Sequence, residues 1–300
     1  MLRRVVAQVV LTDVRLTVLR TLRRLNLISW STSALLGGEK THPYYSFGLA
    51  SACKEAKALG LKRISALEFG VAGGKGLMAL ARAAQHCRKE FGIQVEVLGF
   101  DSGLGMPYDQ GFQDAPYLWS KGDFRMDLDA LREALPKSTN VILGDVSDSV
   151  KLYLSSSEKV NDTEVQDGNP SPSIVTDKPN STPTMLKIDE IFDATAPIAF
   201  VAFDLDYYSS TKSALRIFDG ASCLPRVWTY FDDLDYISKE TGEWLAIDEF
   251  NSEHKSLYIS EVGLSLPSWV NWSNRMRVVH TYGHPLYSKP LYSDQQLPLR

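Results

Sequence analysis

The stretch Ile64–Gly76, ISALEFGVAGGKG, constrains this chain more than any other. Ile64–Phe69 is a short apolar run broken only by Ser65 and Glu68, the pattern of a strand buried in a parallel sheet. Gly70, Gly73, Gly74 and Gly76 follow, and Leu77, Met78, Leu80, Ala81 and Ala84 then recur along one side of a helix. In such a strand–turn–helix unit the backbone comes close to a ligand, and the free N–H groups at the helix start face it. Glycine also punctuates ordinary parallel α/β units, so the turn alone leaves both readings open. Gln94–Phe100, QVEVLGF, reads as the second strand, with Asp101 at its tip. An acid there is placed to accept hydrogen bonds from a ribose diol, which points to a nucleoside-containing cofactor.

Bulk properties narrow the class. The 300 residues are 44% hydrophobic and 23% charged, enough to build a large core. A net charge of -4 argues against nucleic-acid binding through a general basic field. Cys53, Cys87 and Cys223 lie far apart without a CxxC pair, so neither a disulfide framework nor a zinc site is expected. That usage fits a reducing compartment, and a cytoplasmic location is expected. No apolar run is long enough to span a bilayer.

Residues 1–38 differ from the rest. Arg3, Arg4, Arg15, Arg20, Arg23 and Arg24 face one acid, Asp13, and Val and Leu recur at roughly helical spacing. A basic amphipathic helix of this kind docks on its own domain or on a second subunit, which leaves a homodimer open; organellar targeting and peripheral membrane contact are the alternatives. Ser31–Gly38 reads as a turn. From residue 39 to 300 the pattern is that of one α/β domain. His42–Gly60 is a helix entered at Pro43, with Tyr44, Tyr45 and Phe47 either core or cleft. Tyr117–Trp119, in the loop after Asp101, is a candidate pocket wall. Residues 155–184, rich in Ser, Pro, Asn and Thr, read as a disordered insertion, with the globular pattern resuming at Leu186–Ile191.

Further strands are expected at Asn140–Gly144, Pro197–Phe203, Arg226–Phe231 and Met276–Tyr282, with Ser256–Val262 weaker. Strands therefore exit into Asp101, Asp145, Asp204 and Asp232, all along one edge of a parallel sheet. If the strands before Asp204 and Asp232 are neighbours, Asp204, Asp232 and Asp233 converge. Close carboxylates repel, and a hard divalent cation such as magnesium resolves that conflict. The competing reading is that the acids cap helices, as Asp206 would before Ser209–Asp219.

EFGVAGGKG, VLGFDSGLGMP, AFDLDYYSSTKSAL and YFDD, in this order, resemble the class I S-adenosylmethionine-dependent methyltransferases, and among them the macrocin-type O-methyltransferases. The resemblance covers roughly residues 42–285 apart from the insertion. It implies a Rossmann-like, seven-stranded, mostly parallel sheet flanked by helices, with the last strand antiparallel. It implies that Glu68, Gly70, Ala72, Gly73 and Gly74 form the turn around S-adenosyl-L-methionine, that Asp101 and Ser102 hold the ribose, and that Asp145 lies near the adenine. It further implies that Asp204, Asp232 and Asp233 bind a divalent cation, magnesium, and that Asp206 is the catalytic base. Ala72 departs from the commonest glycine pattern, and the insertion has no counterpart. The expected activity is methyl transfer to a hydroxyl of a small molecule such as a sugar, glycoside or diol. A nicotinamide-dependent oxidoreductase and a non-catalytic cofactor-binding module are the alternatives; the later acidic exits count against both. His86, His254, His280 and His284 are expected to be structural or exposed.

Overall fold

The computed structural model describes residues 2–136, 138–161, 184–186, 196–235, 238–263, 270 and 272–291. Two helices lead the chain, α1 (Leu2–Arg24) and α2 (Trp30–Leu35). The second replaces the expected turn at Ser31–Gly38. Ser29 accepts a hydrogen bond from the Thr32 N–H, and that N-cap sets Trp30–Leu35 into a helix. Helix α3 (Pro43–Leu59) starts on Pro43, whose missing N–H costs nothing there, and stops at Gly60 with φ 85°. Strand β1 (Arg63–Phe69), helix α4 (Lys75–Phe91), strand β2 (Gln94–Asp101), helix α5 (Leu128–Ala134) and strand β3 (Thr139–Leu143) follow.

Helix α6 (Val146–Asn161) then occupies a stretch that carried no helical expectation, and the proposed insertion at 155–184 starts too early by that margin. Its Ser-rich sequence hides the helix, but Val150 and Tyr153 bury one turn apart against the sheet. Residues 162–183 and 187–191 lie outside the described residues, so the rest of the insertion and most of Leu186–Ile191 do too. Strand β4 (Thr184–Leu186) pairs antiparallel with β3. The remaining elements are β5 (Ile198–Phe203), α7 (Tyr208–Leu215), β6 (Cys223–Phe231), α8 (Gly242–Glu253), β7 (Leu257–Glu261) and β8 (Met276–Thr281).

The strands form one eight-stranded sheet in the order β4-β3-β2-β1-β5-β6-β8-β7. Strands β3, β2, β1, β5 and β6 run parallel, and β8 is antiparallel to β6. This is the Rossmann-like sheet expected from the sequence, with the short edge strand β4 added to the seven. Chain order reverses between β1 and β5, and ligands bind beyond the strand ends at such a point. Burial alternates with period two: Ala66, Phe200 and Ala202 pack under α3 and α4, whereas Leu67, Phe69, Val201 and Phe203 pack toward α6, α7 and α8.

The second half of α1 folds back on the segment that follows it. Leu16 and Leu19 are buried, Arg15 Nη2 donates to the Gly37 carbonyl at 3.4 Å, and Arg23 pairs with Glu39 at 2.7 Å. Helix α2 is tied to α4, because Ser31 donates from N and Oγ to Glu90 and Trp30 stacks on His86 at 5.1 Å. No helix among the described residues is long and apolar enough to cross a membrane.

Candidate active site

Five strand exits are fastened side by side. Gly70 N–H donates to Phe100 O at 2.9 Å and Gly144 N–H to Asp101 O at 2.9 Å. Asp204 N–H donates to Phe69 O at 2.9 Å and Asp232 N–H to Phe203 O at 3.0 Å. The expected neighbours Asp204 and Asp232 are thus adjacent. Directly below runs a row of stacked rings, with centroids 4.4 Å apart for Phe69–Phe100, 5.5 Å for Phe69–Phe203 and 4.6 Å for Phe203–Phe231. Each such pair adds about 0.5–1.5 kcal/mol beyond its burial, which holds the exits in register.

The turn after β1 is shaped by close approach. Gly70 has φ 86°, and a Cβ there would lie 1.8 Å from the Asp204 carbonyl oxygen. Gly74, at φ 75°, precedes α4, and a Cβ would lie 2.2 Å from Leu131 Cδ1. Ala72 also takes a left-handed conformation, φ 43°, where a side chain is strained. Gly73 meets nothing within 4 Å of an added Cβ, so packing does not demand glycine at that position. Asp101 holds the turn: its Oδ2 accepts from the N–H groups of Val71 at 2.8 Å and Ala72 at 2.9 Å, and its Oδ1 from Gly103 at 2.6 Å. A carboxylate has about four acceptor sites, so Asp101, which lines the cleft, keeps capacity for one more bond. Ser102 Oγ donates to Gly105 O and accepts from Leu104 N–H, which keeps the hydroxyl inside its own loop. Asp145 Oδ1 accepts from Ser147 N–H at the start of α6. Glu68 is buried; Tyr45 OH donates to its Oε1 at 2.7 Å, Oε2 has no partner, and burial holds its pKa well above the carboxylate range.

A cleft of about 590 Å³ opens over this edge, lined by Gly70, Ala72, Asp101, Ser102, Asp145 and the acids of β5 and β6. Its size and its left-handed backbone cradle suit a nucleoside-sized cofactor.

On the β5–β6 side, ligand oxygens of Asp204, Asp206 and Asp233 lie within 4.8 Å of one another, and Asp233 Oδ2 is buried without a partner. Burial and mutual repulsion push the pKa of Asp204 up to about 8, of Asp206 to about 9 and of Asp233 to about 6. Arg275 offsets part of this repulsion, and three converging carboxylates fit a hard divalent cation. Asp232 lines the same cleft but is engaged elsewhere, with its Oδ1 accepting from Tyr230 OH at 2.8 Å and from Arg275 at 3.2 Å. Asp206 does not cap α7. The N-cap is Tyr207 without a side-chain bond, and Asp114 takes the Ser209 N–H at 2.7 Å and Oγ at 2.8 Å instead. Asp206 sits at φ 60°, in a left-handed conformation that turns the chain back onto the cluster.

Sequence reasoning missed Asp114, Arg275 and Glu243. Glu243, in the first turn of α8, is buried and accepts from Asp233 N–H at 2.9 Å, and burial together with Asp233 keeps its pKa well raised. No spacing rule joins these residues to the strand exits. His254 bonds the Phe250 carbonyl and Asp219, His280 bonds Ser260 across the β7–β8 pair and the Tyr287 hydroxyl, and His284 accepts from Leu286 N–H.

The fold and the site together define a Rossmann-like protein whose strand-end cleft combines a glycine turn with a carboxylate cluster. No protein-family model matches the sequence, and no curated protein does. Among solved structures, the chain is similar to CalS11, a calicheamicin methyltransferase, at 17% identity and TM-score 0.49, covering 91% of this chain and 93% of that one. It is similar to the O-methyltransferase TomG from Streptomyces achromogenes at 12% identity and TM-score 0.38, covering 90% of each chain. For an O-methyltransferase from Bacillus cereus the values are 12% and 0.34, covering 90% and 91%. The fold assignment rests on the strand order itself.

Proposed function

We propose that the chain is an S-adenosylmethionine-dependent O-methyltransferase acting on a small hydroxyl compound with the help of a divalent cation. One observation carries the reading: the glycine turn and its acid, Asp101, share one cleft with three converging carboxylates. Bound S-adenosylmethionine supplies a sulfonium methyl, so that the acceptor oxygen gains the methyl, loses its proton and leaves the thioether behind, while a bound cation supplies a Lewis acid for that oxygen.

The chain's own residues do the rest. Gly70, Ala72 and Gly74 bring the backbone close enough to receive the cofactor, and the open site on Asp101 accepts from a ribose hydroxyl. Asp145, in the same cleft, would lie at the adenine end of the bound cofactor. Asp204 and Asp233 would hold the cation, and Glu243 fixes Asp233 by accepting from its N–H. Asp206, in the same cluster, takes the acceptor proton on a carboxylate oxygen. Asp232, bonded to Arg275, would balance charge beside the cation. Transfer of labelled methyl from S-adenosylmethionine to small diols, with magnesium and then with excess chelator, tests this reading. Transfer that chelator stops supports it, and transfer that chelator leaves intact removes the cation from it.

A further inference from the structure

The walls of the cleft select the acceptor, an inference that rests on the methyl-transfer reading above. Asp101, Asp145, Asp204, Asp206, Asp232 and Asp233 all line the cleft, and among the described residues no Lys, Arg or His lines it. Arg275, beside Asp232, is paired with Asp232 at 3.2 Å and Asp235 at 2.8 Å. With a divalent cation in place of the protons on Asp204 and Asp206, and with Asp232 matched by Arg275, the six carboxylates still leave the cleft negative. An acceptor carrying phosphate or carboxylate would therefore enter a field of its own sign, in a setting of reduced dielectric.

The wall above the acids is of the opposite character. Met106, Pro107, Leu118, Trp119 and Phe124 come from the loop between β2 and α5. The rings of Trp119 and Phe124 lie 5.3 Å apart at 62°. That wall is anchored next to the acidic floor, because Tyr207 OH donates to the Trp119 carbonyl at 3.4 Å and Asp114 binds Ser209. Trp119 Nε1 is buried without a hydrogen-bond partner, which leaves a donor for an oxygen in the cleft.

We propose that the acceptor is an uncharged ring bearing adjacent hydroxyls, one face of which packs on Trp119 and Phe124, and that acceptors bearing phosphate or carboxylate are rejected. Such a ring is either phenolic or the sugar of a neutral glycoside, and both offer an apolar face together with a hydroxyl pair.

Four probes separate the cases: catechol, methyl rhamnoside, protocatechuate and UDP-glucose. Each is titrated by calorimetry into the protein loaded with S-adenosylhomocysteine and magnesium, and is then assayed for methylation. Catechol or methyl rhamnoside should bind and react, with whichever reacts naming the source of the ring. The anionic probes should be at least roughly tenfold poorer in affinity and in kcat/KM, the scale of one unit charge facing like charge at intermediate dielectric. Leu118→Lys, at a wall position 40% exposed, should narrow the gap between catechol and protocatechuate. Equal or better use of an anionic probe overturns the proposal and leaves methyl transfer standing, as does S-adenosylhomocysteine binding with neither neutral probe bound or methylated. If S-adenosylhomocysteine itself does not bind, the methyl-transfer reading fails and takes this inference with it.

Discussion

Gly70 and Asp204 are in backbone contact: a Cβ on Gly70 would lie 1.8 Å from the Asp204 carbonyl oxygen. The glycine turn and the acidic exit are therefore packed directly against each other. Gly70→Ala must push the exit of β5 away, and its left-handed φ adds strain of about 1–2 kcal/mol. The variant should lose at least that much stability and should weaken S-adenosylhomocysteine and magnesium binding together. Thermal melts and paired titrations check this. Loss of only one ligand would show that the two halves are independent.

Ala72 makes the opposite case, since its φ of 43° is strained for alanine. Ala72→Gly should leave cofactor binding intact and raise stability by up to about 1 kcal/mol, the strain relieved less the extra entropy glycine loses on folding. Denaturant unfolding measures the difference. A destabilised variant would mean that the Ala72 methyl packs usefully.

The ring ladder is expected to matter more than any single site residue for stability. Phe203 stacks on both Phe69 and Phe231 and is fully buried. Phe203→Ala should cost about 3–5 kcal/mol by denaturant unfolding, the usual range for a buried phenylalanine.

The strand exits were legible because a buried parallel strand leaves a continuous apolar run that ends abruptly at an acid, as PIAFVAF does before Asp204. Helix α6 was not, because five serines within Val146–Asn161 mimic a loop while the apolar stripe is narrow. The edge strand β4 is too short for any periodicity. Within the site, the residue types at Asp204, Asp206 and Asp233 were readable, but their mutual distances were not. Arg275 comes from beyond β7 and reaches Asp232 only because β8 returns antiparallel beside β6. That pairing is a property of topology, and the local sequence around YFDD does not carry it.

The carboxylate cluster makes a prediction about pH. Asp204, Asp206 and Asp233 have pKa values raised to about 8, 9 and 6, above those of an unfolded chain. The folded state then holds more protons than the unfolded state between about pH 4 and 9, so stability falls as pH rises through that window. In chelator, the Tm should climb as pH is lowered from about 9 toward 6. Magnesium should stabilise the protein most at high pH, where it replaces those protons. A metal-free Tm that rises with pH, or magnesium stabilisation that is greatest at low pH, would contradict the clustered arrangement.

Substitutions should divide the acids by role. Asp206→Asn should lower turnover by roughly 10²–10⁴-fold with cofactor affinity retained, the range for a lost general base. Asp204→Asn should raise the magnesium needed for activity. Asp232→Asn, which removes a partner of Arg275 and leaves the converging carboxylates in place, should shift the magnesium requirement less than Asp204→Asn. Steady-state rates across a magnesium series separate the three. An Asp232→Asn variant with the larger shift would move the cation toward Asp232.

Cofactor choice is the claim on which the others stand, and calorimetric titration tests it directly. S-adenosylhomocysteine should bind the wild-type chain, NADH should not, and Asp101→Ala should weaken S-adenosylhomocysteine binding by about 1–3 kcal/mol, the scale of a hydrogen bond to a charged group. NADH binding in place of S-adenosylhomocysteine, or unchanged S-adenosylhomocysteine affinity in a folded Asp101→Ala protein, would contradict the account.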